Sequence, residues 1–348
     1  MSAMTAAATV SADAAERLRT AIERAVRREV HADAAVAGLR RLSAGASRET
    51  WRFELRQPDA PPCSLVLKRD PPDEEIAKGD WLSFGLSIER ETEARLMAAA
   101  HAHGLPVPRL RFILRPEDGG GRGFVMDYVA GETLGRRIVR DGEFTAARPR
   151  LTFQCGETLA RLHALPPAAL PPLPSLPPGP HLKLYRDLLA AFDWPHPGFT
   201  YGLKWLEERL ALVGRRQALV HGDFRNGNLV VGPEGLRAVL DWEIGHLGDP
   251  LLDLGWLCVK SWRYGRASLP VGGFGRREEL FAGYESAGGG RVDSEAVRFW
   301  EIFGCIRWGI MCLRFGFNHL AGVHRSIEWA AIARRAAETE YDLLQLID

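Results

Sequence analysis

Little in this chain of 348 residues is in excess. Charge of neither sign dominates: 45 Lys and Arg stand against 44 Asp and Glu, a net charge of +1. Bulk charge therefore implies no polyanion or membrane surface as partner, and no nucleic-acid motif or internal repeat occurs. Cysteine is scarce: five residues, with no Cys-x-x-Cys pair and no histidine at metal spacing. That excludes a disulfide framework and a zinc cage, and suits small apolar side chains in a reducing compartment. No run of about eighteen apolar residues exists, so no helical membrane span is expected. The N-terminus is alanine-rich but lacks a basic segment and a long apolar run, so no signal peptide is expected. These absences together predict a cytoplasmic protein. Hydrophobic residues, 46% of the chain, suffice for one large or two modest domains.

What is present concentrates in His221-Gly222-Asp223-Phe224-Arg225-Asn226-Gly227-Asn228. Ala218-Leu219-Val220 precede it and Leu229-Val230-Val231 follow, so a polar turn sits between two short apolar strands at the edge of a core. Gly232-Pro233-Glu234-Gly235 is a tight turn into a second hairpin arm, Leu236 to Leu240, which ends in Asp241. This arrangement brings Asp223, Asn228 and Asp241 together. Two carboxylates and an amide oxygen are a hard-oxygen set of the kind Mg²⁺ takes. They divide the work of phosphoryl transfer: Asp223 accepts the attacking hydroxyl's proton, while Asn228 and Asp241 hold metal on the phosphates. Loop Asp and Asn usually only cap turns. Three of them, each at the end of an apolar run, favour catalysis.

His-Gly-Asp, an Asn five residues after the Asp, and a strand ending in Asp241-Trp242-Glu243 resemble the aminoglycoside phosphotransferase family. Leu247-Gly248-Asp249-Pro250-Leu251-Leu252-Asp253-Leu254 also matches. The likeness is nearest to the branch fused to, or encoded beside, acyl-CoA dehydrogenases. It is carried by His221 to Trp262 and extends, more weakly, from about residue 36. The resemblance implies an α+β, two-lobed, protein-kinase-like fold with the nucleotide cleft between a small β-rich N-lobe and a larger helical C-lobe. The expected division is 1–35 as tail and helix, 36–130 as the nucleotide-binding N-lobe, and 131–348 as the C-lobe. ATP and Mg²⁺ are the implied cofactors, with an acyl-CoA dehydrogenase as a linked partner. A homodimer is a further expectation.

Along the chain, Ser11 is placed to cap a helix with Leu18, Ile22, Val26 and Val30 on one face. Trp51, Phe53 and Leu55 alternate with charged residues as a strand. Gly45, Ala46 and Ser47 before it suit a flap whose backbone N–H groups approach phosphate; a plain hairpin is the alternative. Leu65-Val66-Leu67-Lys68 is a strand with Val66 and Lys68 on one face. By the resemblance, Lys68 reaches the α- and β-phosphates instead of snorkelling at the surface. A helix is expected from about Leu86 to His103, and Glu93 aligns best as the partner of Lys68, with Glu89 as the rival. Strands at Leu110–Leu114 and Phe124–Met126 follow. Met126, Asp127, Tyr128 and Val129 resemble the kinase hinge that binds adenine through its backbone.

Helices are expected at Pro149–Leu165, Leu182–Phe192 and Gly198–Val213, with a stiff proline-rich connection from Pro166 to Pro180. His163, at a helix end, is expected on a carbonyl. His221 is expected to brace the catalytic turn, and Asp253 to accept its backbone N–H groups. Arg225 stands where protein kinases carry a lysine that meets the γ-phosphate. Asp249 and Pro250 start the next helix.

Only Trp242 to Gly248 separates Asp241 from Asp249, too short for a peptide-docking segment. A small-molecule hydroxyl acceptor is therefore expected. Lys260, Arg263, Arg266, Arg276, Arg277, Arg307, Arg314 and Arg325 argue against a polycation and for a neutral or anionic acceptor. A hydroxyacyl-CoA or hydroxy acid ranks first, with aminoglycosides and choline-like amino alcohols as alternatives. A regulatory, nucleotide-binding pseudokinase is a reading from another class, and the presence of Asp223, Asn228 and Asp241 speaks against it.

Overall fold

The computed structural model describes residues 12–44, 49–58, 60–70, 86–323 and 325–347. The chain divides into two units: Met1–His101 with Pro108–Val129, and Ala102–Val107 with Ala130–Asp348.

The first unit runs α1 (Ala12–Glu29), β1 (Ala35–Ala44), β2 (Glu49–Gln57), β3 (Ala60–Asp70), α2 (Arg90–Ala102), β4 (Leu110–Ile113) and β5 (Arg122–Asp127). Its strands form one antiparallel sheet in the order β1-β2-β3-β5-β4. Strand alternation separates the two faces. Trp51, Phe53, Leu55, Leu65 and Leu67 join Leu18, Ile22 and Val26 of α1 in one apolar cluster. Val66 and Lys68 take the opposite face, with Lys68 paired to Phe124. Val30 lies past the end of α1 and is 39% exposed, unlike the other three apolar positions of its expected stripe. Ser11 lies outside the described residues. Helix α2 begins later than Leu86, because Glu89 C=O is the acceptor that opens its first turn, from Glu93 N–H at 2.8 Å.

The second unit contains α3 (Gly135–Arg140), α4 (Arg148–His163), β6 (Ser175–Leu176), α5 (Pro178–Ala190) and α6 (Pro197–Glu207). Then come β7 (Ala218–Val220), β8 (Leu229–Gly232), β9 (Gly235–Val239), β10 (His246–Gly248) and α7 (Leu251–Cys258). It ends with α8 (Arg277–Ser286), α9 (Ser294–Leu320), α10 (Ile327–Ala333) and α11 (Ala336–Ile347). Strands β8 and β9 make the expected hairpin. The proline-rich connection contributes β6, which pairs in parallel with β10, and β10 pairs antiparallel with β7. Helix α5 starts earlier than expected because Pro178 suits a first turn, where a missing N–H costs nothing. Helix α6 stops at Glu207 and the chain tightens into a 3₁₀ turn at Leu210–Leu212.

Helix α9 is buried along most of its length and is capped by Asp293, whose carboxylate accepts from Glu295 N–H at 3.0 Å. Helix α7 crosses it closely at Gly255, where a Cβ would lie 2.5 Å from Trp300 Cβ. Cys155, Cys258, Cys305 and Cys312 are free and buried, and burial pushes all four thiols up. Among the described residues no helix is long and apolar enough to cross a membrane.

Candidate active site

In the second unit, His221 to Asn228 form the turn between β7 and β8. A turn has no hydrogen-bond ladder of its own, so its backbone groups need partners from elsewhere. Asp253, in the first turn of α7, supplies them: His221 N–H donates to its Oδ2 at 2.8 Å and Gly222 N–H to its Oδ1 at 2.9 Å. Burial by itself would raise the Asp253 carboxyl; the hydrogen bond from His163 and the His221 N–H outweigh it and hold it below the usual carboxylate value. His163 Nε2 donates to Asp253 Oδ2 at 3.2 Å, and its Nδ1 lies 3.0 Å from the Tyr284 hydroxyl. His163 is thus not bonded to a carbonyl at its helix end; a buried carboxylate from α7 was the stronger acceptor. Gly222 has φ 80°, and a Cβ there would meet Ile244 O at 2.9 Å, so the turn needs glycine.

His221 accepts from Asp223 N–H through Nδ1 at 3.1 Å and donates from Nε2 to Leu240 O at 3.0 Å. Only the neutral imidazole can do both. Burial holds its pKa below the ordinary histidine value, against the pull of Asp253, Asp223 and Asp241. His221 braces the turn.

The Asp223 carboxylate is held by three side chains. Oδ1 accepts from Arg225 Nε at 3.0 Å and from the Trp256 indole N–H at 2.8 Å. Oδ2 accepts from Asn228 Nδ2 at 2.6 Å. The Arg225 guanidinium also lies 4.6 Å over the Trp262 ring. Asn228 O accepts from Leu240 N–H at 2.8 Å, which ties the residue before Asp241 to the turn. Asp241 itself has φ 59°. The left-handed region costs about 1–2 kcal/mol for most side chains, and Asp is among those that tolerate it. The structure thus joins Asp223 to Asn228 and anchors the strand end that carries Asp241.

Among the described residues no three His, Cys, Asp or Glu groups are gathered to hold a metal. Asn228 and Asp241 remain the candidate pair. The Asn228 nitrogen is spent on Asp223, which leaves its amide oxygen for a cation; with an Asp241 oxygen this is a hard donor pair that suits Mg²⁺ when phosphate and water complete the shell.

In the first unit, Lys68 Nζ donates to Glu93 Oε1 at 2.8 Å, and both are buried. Arg90 also bonds Glu93 and reaches Asp70 at 3.2 Å. The rival Glu89 pairs instead with Arg122 at 2.9 Å, and its side chain is 70% exposed. Gly45, Ala46 and Ser47 lie outside the described residues. Met126 and Asp127 end β5. Asp127 N–H is bonded to Arg109 O at 2.9 Å and Tyr128 N–H to Ser64 O at 3.1 Å. Val129 follows them as the last residue of the unit.

The basic residues after Trp256 are less available than their number suggests. Arg263 and Arg277 both bond Glu301, which is 1% exposed, at 2.8 and 2.5 Å. Lys260 bonds Asp342 at 2.5 Å. Arg307 is buried, donates to Gly222 O at 2.7 Å and lies 4.2 Å over the Trp256 ring. The charges of these four are used inside the unit, which weakens the argument for an anionic acceptor; Arg266, Arg276 and Arg325 are exposed. Arg307 and Trp256 touch the turn itself. Nothing local in the sequence marks them, since helical aromatics are usually core.

A family model for the phosphotransferase enzyme family matches residues 38–289. The chain is 31% identical over 230 residues to acyl-CoA dehydrogenase family member 11 of Mus musculus, across 60% of this chain and 26% of that protein. It spans about a quarter of the length of such curated relatives. Among solved structures, a Ralstonia eutropha protein provisionally assigned as an aminoglycoside phosphotransferase superposes with a TM-score of 0.70 at 21% identity, covering 94% of this chain and 97% of that one. The aminoglycoside phosphotransferase APH(3'')-Id of Streptomyces rimosus, solved with ADP and streptomycin, gives a TM-score of 0.51 at 20% identity, covering 83% and 97%. These likenesses show the fold: α+β and protein-kinase-like, with a β-rich unit and a mainly helical one.

Proposed function

The chain belongs to the phosphotransferase enzyme family, and on that premise we propose that it moves the γ-phosphoryl group of ATP onto a hydroxyl of a small molecule. The observation that carries the proposal is the Asp223 carboxylate, oriented by Arg225, Trp256 and Asn228 on a turn pinned by Asp253. A carboxylate so held can take the proton of an attacking hydroxyl. Lys68, kept in place by Glu93, would bind the nucleotide's phosphates, and the backbone from Met126 to Val129 its adenine. Asn228 and Asp241 would hold Mg²⁺, which supplies charge neutralisation on the phosphates. Arg225 keeps Asp223 in place and, with its remaining N–H groups, is available to a phosphate oxygen. His221 keeps the turn in shape.

For the acceptor, a hydroxyacyl-CoA or hydroxy acid comes first. The support is the similarity to acyl-CoA dehydrogenase family members, which also motivates a functional link to such a dehydrogenase in a cytoplasmic setting. The short Asp241–Asp249 segment agrees with a small molecule, because His246–Gly248 is tied into a strand pair and offers no long docking loop. The test is phosphate transfer followed by mass spectrometry, with ATP or GTP and a panel of hydroxyacyl-CoAs, hydroxy acids, amino alcohols and aminoglycosides. Transfer to an aminoglycoside or amino alcohol alone would replace the acceptor class. Absence of transfer and of nucleotide hydrolysis would remove the enzyme reading and leave a nucleotide-binding regulator.

A further inference from the structure

Trp256 lies on α7 and is 2% exposed, yet its indole N–H points at the one carboxylate on which the proposed reaction depends. Most buried tryptophans in a helical unit need only some acceptor for that N–H. Here the acceptor is Asp223 Oδ1 at 2.8 Å, the oxygen that also accepts from Arg225 Nε at 3.0 Å. A carboxylate offers about four acceptor positions, two on each oxygen. Both positions on Oδ1 are filled. On Oδ2 one is taken by Asn228 Nδ2 at 2.6 Å, and among the described residues nothing occupies the other.

We propose that Trp256 is a positioning residue that reserves Asp223 Oδ2 for the acceptor. With Arg225 it saturates Oδ1 and fixes the carboxylate's rotation, so that the hydroxyl's proton has a single place to go. This rests on the transferase reading above and deepens it. In the step itself, a lone pair of the acceptor oxygen forms the new P–O bond to the γ-phosphorus. The β,γ-bridging P–O bond breaks, and its electron pair leaves with ADP. The hydroxyl proton moves to Asp223 Oδ2. Trp256 exchanges no atom; it acts through Asp223 alone.

The ring of Trp256 is itself clamped, which makes the indole a rigid donor. The Arg307 guanidinium lies 4.2 Å over it, and Trp262 meets it edge-on at 5.1 Å. Arg307 donates at the same time to Gly222 O at 2.7 Å, so one arginine of α9 holds both the turn and the indole that reads the turn's carboxylate. Trp256→Phe keeps an aromatic ring for Arg307 and Trp262 and removes the N–H together with the indole's second ring, so a stability loss from the smaller ring is measured separately from kcat.

The test compares full-length wild type, Trp256→Phe and Asp223→Asn, with ADP release from Mg·ATP and water as the acceptor probe. Loss of a hydrogen bond to a charged group should lower kcat of Trp256→Phe about ten- to a hundredfold, with KM for Mg·ATP within about twofold. Unchanged kcat, or kcat and KM worsening together with an equal loss of thermal stability, would overturn the positioning role. Should Trp256→Phe not fold, the indole ¹⁵N–¹H spectrum keeps the question decidable. Among ten tryptophans, the Trp256 signal should be the one most displaced in Asp223→Asn, and a spectrum in which no indole signal moves would refute the contact. Failure of the transferase reading has a different signature: wild type would release no ADP above the Asp223→Asn background, and the role of Trp256 would fall with it.

Discussion

The two units hold their key charged groups in opposite ways. Lys68 stands on a central strand and faces Glu93 on a helix, so regular elements set its position and a buried ion pair with Glu93 helps hold it. Asp223 stands on a turn, and six side chains from the turn and three helices are needed to fix it: Arg225, Asn228 and Trp256 on the carboxylate, Asp253 and Arg307 on the backbone, and His163 behind Asp253. The difference has a physical origin. A strand's backbone is already satisfied by its neighbours, whereas a turn's N–H and C=O groups must find partners among side chains. The Lys68–Glu93 contact belongs to a buried charged cluster that includes Arg90, while among the described residues the Asp223 carboxylate keeps one oxygen position open. On the proposed reading, the first arrangement holds a lysine for phosphate and the second leaves a carboxylate oxygen for a proton.

Asp223→Asn should break the comparison most severely. The shape stays and the base is lost, so kcat should fall about 10²–10⁴-fold. Calorimetry should show Mg·ATP binding little changed, because Lys68 and Asp241 are not substituted and Asn228 keeps its bond to the residue 223 backbone carbonyl. Retained turnover in this variant would reassign the base.

Glu93→Ala attacks the other side. It removes a carboxylate from a buried cluster with Lys68 and Arg90, and breaking such a pair typically costs about 3–5 kcal/mol. Denaturant melts should show the loss, and nucleotide affinity should fall with it. A variant as stable as wild type would mean that the cluster rearranges without strain.

Acid should act on the second unit. Burial holds His181, His221 and His246 below the ordinary histidine value. His181 is packed against the rings of Tyr185, His246, Trp300 and Phe303. Each is neutral when folded and takes a proton more readily when unfolded, so the unfolded state binds more protons below about pH 6.5. Stability should therefore decline as the pH falls below that value and stay flat above it. Asp253, held below the usual carboxylate range, contributes throughout this window and is lost only at lower pH. In melts taken between pH 7 and 5, His181→Phe should flatten the decline; an unchanged slope would clear His181.

Glu89→Gln is the smallest change. Its pair with Arg122 is largely exposed, and such pairs contribute about 0–1 kcal/mol. Stability and nucleotide affinity should stay at wild-type values, in contrast with Glu93→Ala. An effect equal to that of Glu93→Ala would show that the two glutamates are not distinguished by burial.

Much of this was legible along the chain because its physics is local. Period-two alternation placed Lys68 on the face opposite Leu65 and Leu67, and the glycine-proline turn after Val231 announced the β8–β9 hairpin. Asp253 as acceptor for the turn followed from its place on the helix after Asp249-Pro250. Helical spacing left Glu89 and Glu93 on one face; the family resemblance favoured Glu93, and the structure pairs Glu93 with Lys68 and Glu89 with Arg122.

Other features had no local signal. Ser175–Leu176 looks like any stretch between prolines; it is a strand because β10, some seventy residues on, offers it a ladder. His163 looked like a helix-end cap until Asp253 and Tyr284 arrived beside it. Arg263 and Arg277 counted as free positive charge until Glu301 came between them. Trp256 counted as core, and it is core, but its one polar atom meets Asp223. Spacing and periodicity thus named the residue types at the turn and the strands that carry them. Which charges are spent internally, which histidines brace and which indole meets Asp223 depend on contacts between residues far apart in the chain, and no pattern of neighbours along the backbone encodes them.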